Sequence, residues 1–108
     1  MSLLSMFSRR TDETAATAVQ WVDDGATLVD VRTPGEYAGG HVRGAVLAPV
    51  QELSSHLRDL PKGSKVVVYC RSGARSAQAA SQLKSRGFDV CDLGSINSWP
   101  NRDDIVQG

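Results

Sequence analysis

The sequence predicts an α/β fold in which a mostly parallel central sheet carries helices on both faces. Two observations support this prediction. Apolar, β-branched segments alternate with helical segments along the chain, and one strand segment passes through a short loop into an alanine-rich helix. The chain has 108 residues and no internal repeat, linker or low-complexity segment, so we expect one domain with a single core.

The N-terminal part is predicted as a lead-in over residues 1–10, followed by the folded domain over residues 11–108. The lead-in is expected to be irregular or a short strand. Thr11 or Asp12 can cap a helix, because short polar side chains accept hydrogen bonds from the first free N–H groups. Gly25 ends this helix, since glycine readily takes the left-handed conformation of a helix terminus.

A buried strand is predicted at 27–31, and three helix-start signals follow it. Thr33 can be the N-cap, Pro34 suits the first helical position, and Glu36 can complete a capping box. The remaining elements follow from apolar spacing and from proline and glycine positions. They are a short strand at 45–47, a helix with the apolar residues Val50, Leu53, Leu57 and Leu60, a central strand at 65–69, a helix at 76–86 that buries Ala77, Ala80 and Leu83 and ends at Gly87, a strand at 88–92, and a tail with Trp99 in a turn or short helix.

Cys70 stands where the central strand ends and the next helix is about to start. In open α/β sheets, ligands bind at that edge. The N–H groups of the loop and of the helix N-terminus favour negative charge there, and Arg71 and Arg75 add positive charge. Such surroundings lower the pKa of a thiol and convert it to a thiolate. The sequence therefore predicts that Cys70 is a nucleophile.

The loop after Cys70 is expected to bind the substrate. Gly73 can adopt a backbone conformation that other residues reach only at a cost. Arg75 has two interpretations that the sequence leaves open, because it can bind an anion or turn inward and brace the loop against a carboxylate. The predicted substrate-binding residues are Arg71, Ser72, Gly73, Ala74, Arg75 and Ser76.

Composition excludes several classes of function. The formal net charge is zero, which gives no electrostatic reason for a nucleic-acid or membrane partner, and no apolar run reaches membrane-spanning length. Two cysteines are too few for a disulfide framework, and their spacing predicts no zinc site. Cys91, among apolar neighbours, is expected in the core rather than in a disulfide with Cys70. We expect a cytoplasmic protein without a metal or an organic cofactor.

Four segments resemble the motifs of single-domain rhodaneses, a sulfurtransferase family, and the resemblance runs from about residue 11 to residue 99. They occur in the family's order, which makes the resemblance specific. Two positions depart from the pattern, since Ser95 replaces a second glycine and Arg43 replaces a common proline. The segments are LVDVRTPGEY at 28–37, GHVRGA at 40–45, CRSGARS at 70–76 and the closing motif from Leu93 to Trp99.

The resemblance implies a rhodanese-like domain and a two-step mechanism. The Cys70 thiolate attacks the outer sulfur of thiosulfate or another sulfane donor and becomes a persulfide. Cyanide, a small thiol or a protein thiol then removes the sulfur. The resemblance also implies structural support for the site from Asp30 and Arg32 at the end of the first strand. Glu36 is expected to support the site as well, and Arg32 can pair with it. His41 is interpreted as a hydrogen-bonded structural histidine.

Two other functions are compatible with the same sequence. A cysteine phosphatase or arsenate reductase also uses a strand–loop–helix anion cradle, but phosphatases place the arginine after five intervening residues. Here Arg75 follows Cys70 after four residues, and such a loop suits a small sulfur atom better than a phosphoryl group. A non-catalytic binding module on the same fold is the second alternative. Such modules usually lose the loop cysteine, which this chain keeps.

Overall fold

A computed structural model describes residues 3–108 of the chain, with side chains from residue 13 onward. The described part contains six strands and four α-helices. The strands are β1 (Thr27–Asp30), β2 (His41–Val42), β3 (Val46–Leu47), β4 (Lys65–Cys70), β5 (Asp89–Ser95) and β6 (Ile105–Val106). The helices are α1 (Leu3–Asp23), α2 (Pro34–Gly39), α3 (Leu53–His56) and α4 (Ala74–Ser85), and 3₁₀ turns cover Val50–Glu52, Leu57–Asp59, Ile96–Ser98 and Arg102–Asp104.

The central sheet has the strand order β3-β1-β4-β5, and every neighbouring pair is parallel. This confirms the predicted mostly parallel sheet. β4 lies between two other strands, and its residues from Val66 to Cys70 are all 0% exposed. A strand covered on both faces needs a continuous apolar run, which explains why this segment lacks polar alternation.

Helices cover both faces of the sheet, as predicted. Because successive side chains of a strand point to opposite faces, β4 contributes to two separate core clusters. One cluster joins Cys70 of β4 to Ala79 and Leu83 of α4. The other joins Tyr69 of β4 to Ala18 of α1. The side chain of Cys70 therefore lies on the face that α4 covers.

The start of helix α1 differs from the prediction. The helix begins at Leu3 rather than at Thr11 or Asp12, so the irregular or extended lead-in is wrong for residues 3–10. The segment 3–23 contains neither glycine nor proline, so nothing in it interrupts a helix, and capping residues do not force a helix to start. Residues 1 and 2 lie outside the described part, and the domain boundary at residue 11 stays a prediction.

Other elements also differ from the prediction. The helix predicted around Leu53 and Leu57 is the single turn of α3 between two 3₁₀ turns. Helix α4 begins at Ala74 rather than Ser76, and its buried face contains Ser76, Ala79, Ala80 and Leu83, whereas Ala77 is exposed. These buried positions follow the i, i+3, i+4, i+7 spacing of one helical face. In the tail, β6 pairs antiparallel with β2, a pairing that the sequence analysis missed. None of the helices in the described part is long and apolar enough to span a membrane.

A buried ion pair fixes the end of β1 to the end of α2. Asp30 and Arg32 are 0% and 6% exposed, and Arg32 Nη2 donates to Asp30 Oδ2 at 2.7 Å. The same nitrogen donates to the carbonyl of Gly40 at 2.6 Å. The predicted pairing of Arg32 with Glu36 is therefore wrong. Arg32 pairs with Asp30 because its guanidinium lies in the interior, where an unpaired charge is costly.

We predict that Asp30→Ala lowers the free energy of unfolding by about 3–5 kcal/mol, because it leaves a buried guanidinium without its carboxylate. Urea unfolding followed by circular dichroism measures this. The double variant Asp30→Ala/Arg32→Met is the control and should recover part of the loss, since it removes the uncompensated charge. A single variant as stable as the wild type would contradict this account.

Candidate active site

Cys70 is the last residue of β4, and its sulfur lies inside a turn made by the residues that follow. The residue is 0% exposed, and its Sγ accepts a hydrogen bond from the Gly73 N–H at 2.9 Å. Helix α4 begins one residue later, at Ala74. The sulfur is therefore held against a helix N-terminus, as the sequence predicted, where free N–H groups favour a negative charge.

Gly73 makes this turn possible. Its φ is +109°, in the region that residues with a side chain rarely adopt. A Cβ at this position would also lie 3.9 Å from the Cα of Gly94 on the neighbouring strand. The positive φ directs the chain from the loop into α4, so a glycine is favoured by the backbone itself.

The local environment lowers the pKa of the Cys70 thiol below its ordinary value. Burial alone raises that pKa, because it disfavours the charged thiolate. Hydrogen bonding from Ser76 and from the N–H groups of Gly73 and Ser72 acts in the opposite direction and outweighs burial. Hydrogen-bond donors thus stabilise a thiolate at a position that is shielded from water.

Ser76 connects the loop to the neighbouring strand. It is 0% exposed, and its hydroxyl donates to the Gly73 carbonyl at 3.1 Å and lies 3.4 Å from the Gly94 carbonyl. Among the predicted substrate-binding residues, Ser76 therefore lies beneath the loop, whereas Arg71, Ser72 and Ala74 are exposed. Only the exposed residues can contact a molecule in solution while the loop keeps this conformation.

Arg75 forms a two-pronged ion pair with Glu36 of α2. Arg75 Nη1 lies 2.6 Å from Glu36 Oε1, and Nη2 lies 3.0 Å from Oε2. The capping box with Thr33, which the sequence predicted, holds the same carboxylate in place. The structure thus decides between the two interpretations of Arg75, because its side chain braces the loop against a carboxylate.

Arg71 has a different environment. Its side chain is exposed and forms no ion pair with any residue whose side chain the structure describes. It borders an open groove of about 390 Å³ beside the loop. The groove is lined by Arg32, Gly35, Glu36, Gly39, Gly40, Arg71, Ile96 and Asn97. Arg71 is therefore the loop cation that stays available to an anion arriving through this groove.

His41 packs against α2. Its ring stacks on the ring of Tyr37 with 3.6 Å between the centroids, and its Nδ1 lies 2.9 Å from the Tyr37 carbonyl. The residue is 7% exposed and has the hydrogen-bond contact that the sequence predicted, whereas its role as structural support stays a prediction. Its contacts are with Tyr37, which belongs to the helix that presents Glu36.

Cys91 does not take part in the site. Both cysteines are free, as expected, and they belong to core clusters on opposite faces of the sheet. Cys91 is 8% exposed, and burial raises the pKa of its thiol. A buried thiol without donors stays neutral, which makes Cys91 a small apolar core residue.

Ser95 is the residue near the site whose contact the sequence analysis missed. Its hydroxyl donates to the Arg71 carbonyl at 2.6 Å. Its φ of −92° and ψ of 141° are ordinary extended values, so the absence of a glycine causes no strain here. The serine in place of a second glycine distinguished this position in the sequence, but it did not indicate which group the hydroxyl contacts.

The Arg75–Glu36 pair makes stability depend on pH. Pairing with Arg75 lowers the pKa of Glu36 from 4.5 to about 2. The carboxylate therefore stabilises the fold above its unfolded pKa, and this contribution is lost as the pH falls through about 2. We predict that Glu36→Gln is less stable than the wild type by about 1 kcal/mol at neutral pH, and that this gap shrinks on acidification.

Urea unfolding at a series of pH values measures the gap. The control is Glu52→Gln, because Glu52 is exposed and forms no ion pair with the described side chains. A gap that stays constant down to pH 2 would argue against the ion pair as its source.

Comparison with known proteins gives consistent results. A family model described as a rhodanese-like domain matches residues 14–102. A sulfurtransferase from Allochromatium vinosum is 43% identical over 74 residues, which cover 67% of this chain and 69% of that protein. Thiosulfate sulfurtransferase GlpE from Pseudomonas fluorescens is 35% identical over 79 residues, 71% of this chain and 72% of that protein.

Longer proteins and solved structures match as well. The probable adenylyltransferase/sulfurtransferase MoeZ from Mycobacterium tuberculosis is 40% identical over 85 residues, which are 73% of this chain and 22% of that protein. A solved structure of a rhodanese with anions from E. coli has a TM-score of 0.70 at 30% identity and covers 78% of this chain and 100% of that chain. The sequence, the parallel sheet and the loop around Cys70 thus agree, and the chain belongs to the rhodanese-like domain family.

Proposed function

We propose that this protein is a sulfurtransferase that carries a sulfane sulfur as a persulfide on Cys70. The observation that carries the proposal is the position of the Cys70 sulfur, which accepts a hydrogen bond from the Gly73 N–H at 2.9 Å in the turn that leads into α4. Relatives named sulfurtransferase and thiosulfate sulfurtransferase support the same reaction class.

The first step loads the enzyme. The Cys70 thiolate attacks the outer sulfur of thiosulfate, a new S–S bond forms, and the bond inside thiosulfate breaks with its electron pair leaving on sulfite. Cys70 now carries a terminal sulfur with one negative charge. The N–H groups of Ser72, Gly73 and Ser76, which favour the thiolate, also face the region where this charge develops.

The second step transfers the sulfur. A nucleophilic acceptor attacks the terminal sulfur, the S–S bond to Cys70 breaks, and its electron pair returns to Cys70 as thiolate. Cyanide leaves as thiocyanate, and a small or protein thiol leaves as its own persulfide. No cofactor enters this cycle, and we expect it in the cytoplasm, where thiols stay reduced.

Access to the sulfur requires movement of the loop. Cys70 is 0% exposed, so a donor reaches the sulfur only when the exposed residues Arg71 and Ser72 move outward. The groove beside Arg71 leads a donor to this point, and the free guanidinium attracts an anion such as thiosulfate.

The arginine of the loop argues against phosphatase chemistry. In a cysteine phosphatase, the loop arginine binds the phosphoryl group, whereas Arg75 is bound to Glu36 through both of its terminal nitrogens. Four residues separate Cys70 from Arg75, which makes the loop small, and the ion pair with Glu36 holds it in this conformation. Both features favour a sulfur atom over a phosphoryl group as the occupant.

We predict that Cys70→Ser abolishes persulfide formation, because a hydroxyl in this position is neither ionised nor able to form the sulfur–sulfur bond. Intact mass of the reduced protein after incubation with thiosulfate measures loading. The wild type should gain the mass of one sulfur atom and lose it on addition of cyanide, with formation of thiocyanate.

Cys91→Ser is the matched control and should load normally, since Cys91 lies on the opposite face of the sheet. Loading of the Cys70→Ser protein, or loading that depends on Cys91, would refute the assignment. A wild-type protein that takes no sulfur from thiosulfate or from a persulfide donor would refute the proposed function as a whole.

We also predict that Arg71→Ala raises the KM for thiosulfate about fivefold and leaves kcat close to its wild-type value. The loss corresponds to about 1 kcal/mol, the scale of a solvent-exposed ionic contact. Steady-state thiocyanate formation measures both constants. Arg86→Ala is the control, because Arg86 lies at the far end of α4, and an equal rise in that variant would exclude a specific role for Arg71.

A further inference from the structure

Ser95 lies directly beside Cys70 because the sheet is irregular at this point. The register of β4 and β5 shifts between Val68 and Tyr69, so Tyr69 pairs with Gly94 and Cys70 pairs with Ser95. An uninterrupted register would place Gly94 next to Cys70. The extra residue in β5 therefore puts a hydroxyl, rather than a glycine, at the start of the active-site loop.

The hydroxyl of Ser95 has a defined orientation. It accepts a hydrogen bond from the Asn97 N–H at 3.0 Å and donates to the Arg71 carbonyl at 2.6 Å. Because the Asn97 N–H occupies an acceptor position, the hydroxyl proton is directed to the Arg71 carbonyl. The Arg71 carbonyl is thus held toward β5 by a single, oriented donor.

The orientation of a carbonyl determines where the next N–H points. The peptide bond between Arg71 and Ser72 is trans, and in a trans peptide the C=O and the N–H point in opposite directions. With the Arg71 carbonyl held toward Ser95, the Ser72 N–H faces the inside of the loop. This N–H belongs to the same turn as the Gly73 N–H, which donates to the Cys70 sulfur at 2.9 Å, and it contributes to the lowered pKa of the thiol.

We propose that Ser95 is a positioning residue for Cys70, whose hydroxyl holds the Arg71–Ser72 peptide so that the Ser72 N–H points at the Cys70 sulfur. The inference rests on the proposed function in one respect, namely that this sulfur is the reacting atom. A glycine, as in the common family motif, has no hydroxyl and leaves the peptide free to rotate. Ser95 therefore gives this chain a more tightly fixed anion cradle than the glycine form.

Charged groups around Cys70 do not depend on Ser95. Arg71 and Arg75 belong to the loop and to α4, and Glu36 of α2 pairs with Arg75. On the strands, Asp30 of β1 pairs with Arg32, and Asp92 of β5 accepts from the Gly94 N–H. Substitution of Ser95 leaves all these charges in place, so a change in the titration of Cys70 reports on the loop peptide.

The test is the pH titration of the Cys70 thiolate, followed by its ultraviolet absorbance without any sulfur donor. The absorbance of the same protein carrying Cys70→Ser is subtracted from each titration. The difference contains only the absorbance of the Cys70 thiolate, because Cys91 is present in both proteins. We expect Ser95→Ala and Ser95→Gly to raise the midpoint by about 0.5–1 pH unit, the effect of one weakened hydrogen bond. Ser95→Thr keeps the hydroxyl and should stay near the wild-type midpoint.

The control is Ser98→Ala, which removes a hydroxyl from the same 3₁₀ turn. That hydroxyl forms no hydrogen bond with the described part of the chain, so the midpoint should not move. Thermal unfolding of each variant shows that the proteins compared are folded. Unchanged midpoints in folded Ser95→Ala and Ser95→Gly, or an equal rise in Ser95→Thr, would overturn the proposal.

The two proposals fail separately. If thiosulfate loads sulfur on Cys70 but the Ser95 variants titrate like the wild type, the positioning role is wrong and the proposed function stands. If the Ser95 variants shift the midpoint but no donor loads sulfur, the cradle assignment stands and sulfur transfer is wrong.

Discussion

Complete burial of β4 is the constraint on which the rest of the site depends. Its residues from Val66 to Cys70 have no solvent exposure, because helices cover both faces and parallel strands cover both edges. A strand enclosed in this way has one possible exit, at its carboxyl end, and the chain must turn there into α4. Cys70 is the residue at that turn, so the position of its sulfur follows from the packing of the core.

Backbone donors, rather than neighbouring charges, form the immediate environment of Cys70. The Gly73 N–H donates to the sulfur at 2.9 Å, and hydrogen bonding from Ser76, Gly73 and Ser72 lowers the pKa of the thiol in spite of burial. The ionic side chains nearby form the supporting structure. Asp30 and Arg32 fix the end of α2, and Glu36 of α2 then fixes Arg75. These pairs hold the loop in a shape that lets its backbone point inward.

This arrangement suits sulfur transfer for a physical reason. In the proposed cycle the negative charge lies either on the Cys70 sulfur or on the sulfur atom bonded to it, so it moves by only one S–S bond. While the loop is closed over the sulfur, its N–H groups can stabilise this charge before and after each step. An arginine side chain directed at the sulfur would instead suit an anion larger than a single sulfur atom, such as a phosphoryl group. Arg71 forms no ion pair with the side chains that the structure describes and is exposed, so attraction of an anion is separated from stabilisation of charge on the sulfur.

The sequence by itself determined the features that depend on local pattern. The capping box of Thr33 and Glu36, the left-handed glycine at position 73 and the position of Cys70 at a strand end all follow from neighbouring residues. The parallel sheet followed in the same way, from apolar strands alternating with helices.

Only the tertiary structure decided the partners of Arg32, Arg75 and Ser95, and the pairing of β2 with β6. Residues 3–10 were predicted to be irregular or a short strand, but they are helical because no glycine or proline interrupts the helix there. Most of these contacts join residues far apart in the chain, and even the two-residue pairing of Arg32 with Asp30 depended on which side chains the fold buries. The bulge that brings Ser95 beside Cys70 exists only because two strands meet in one register, which local propensity does not encode.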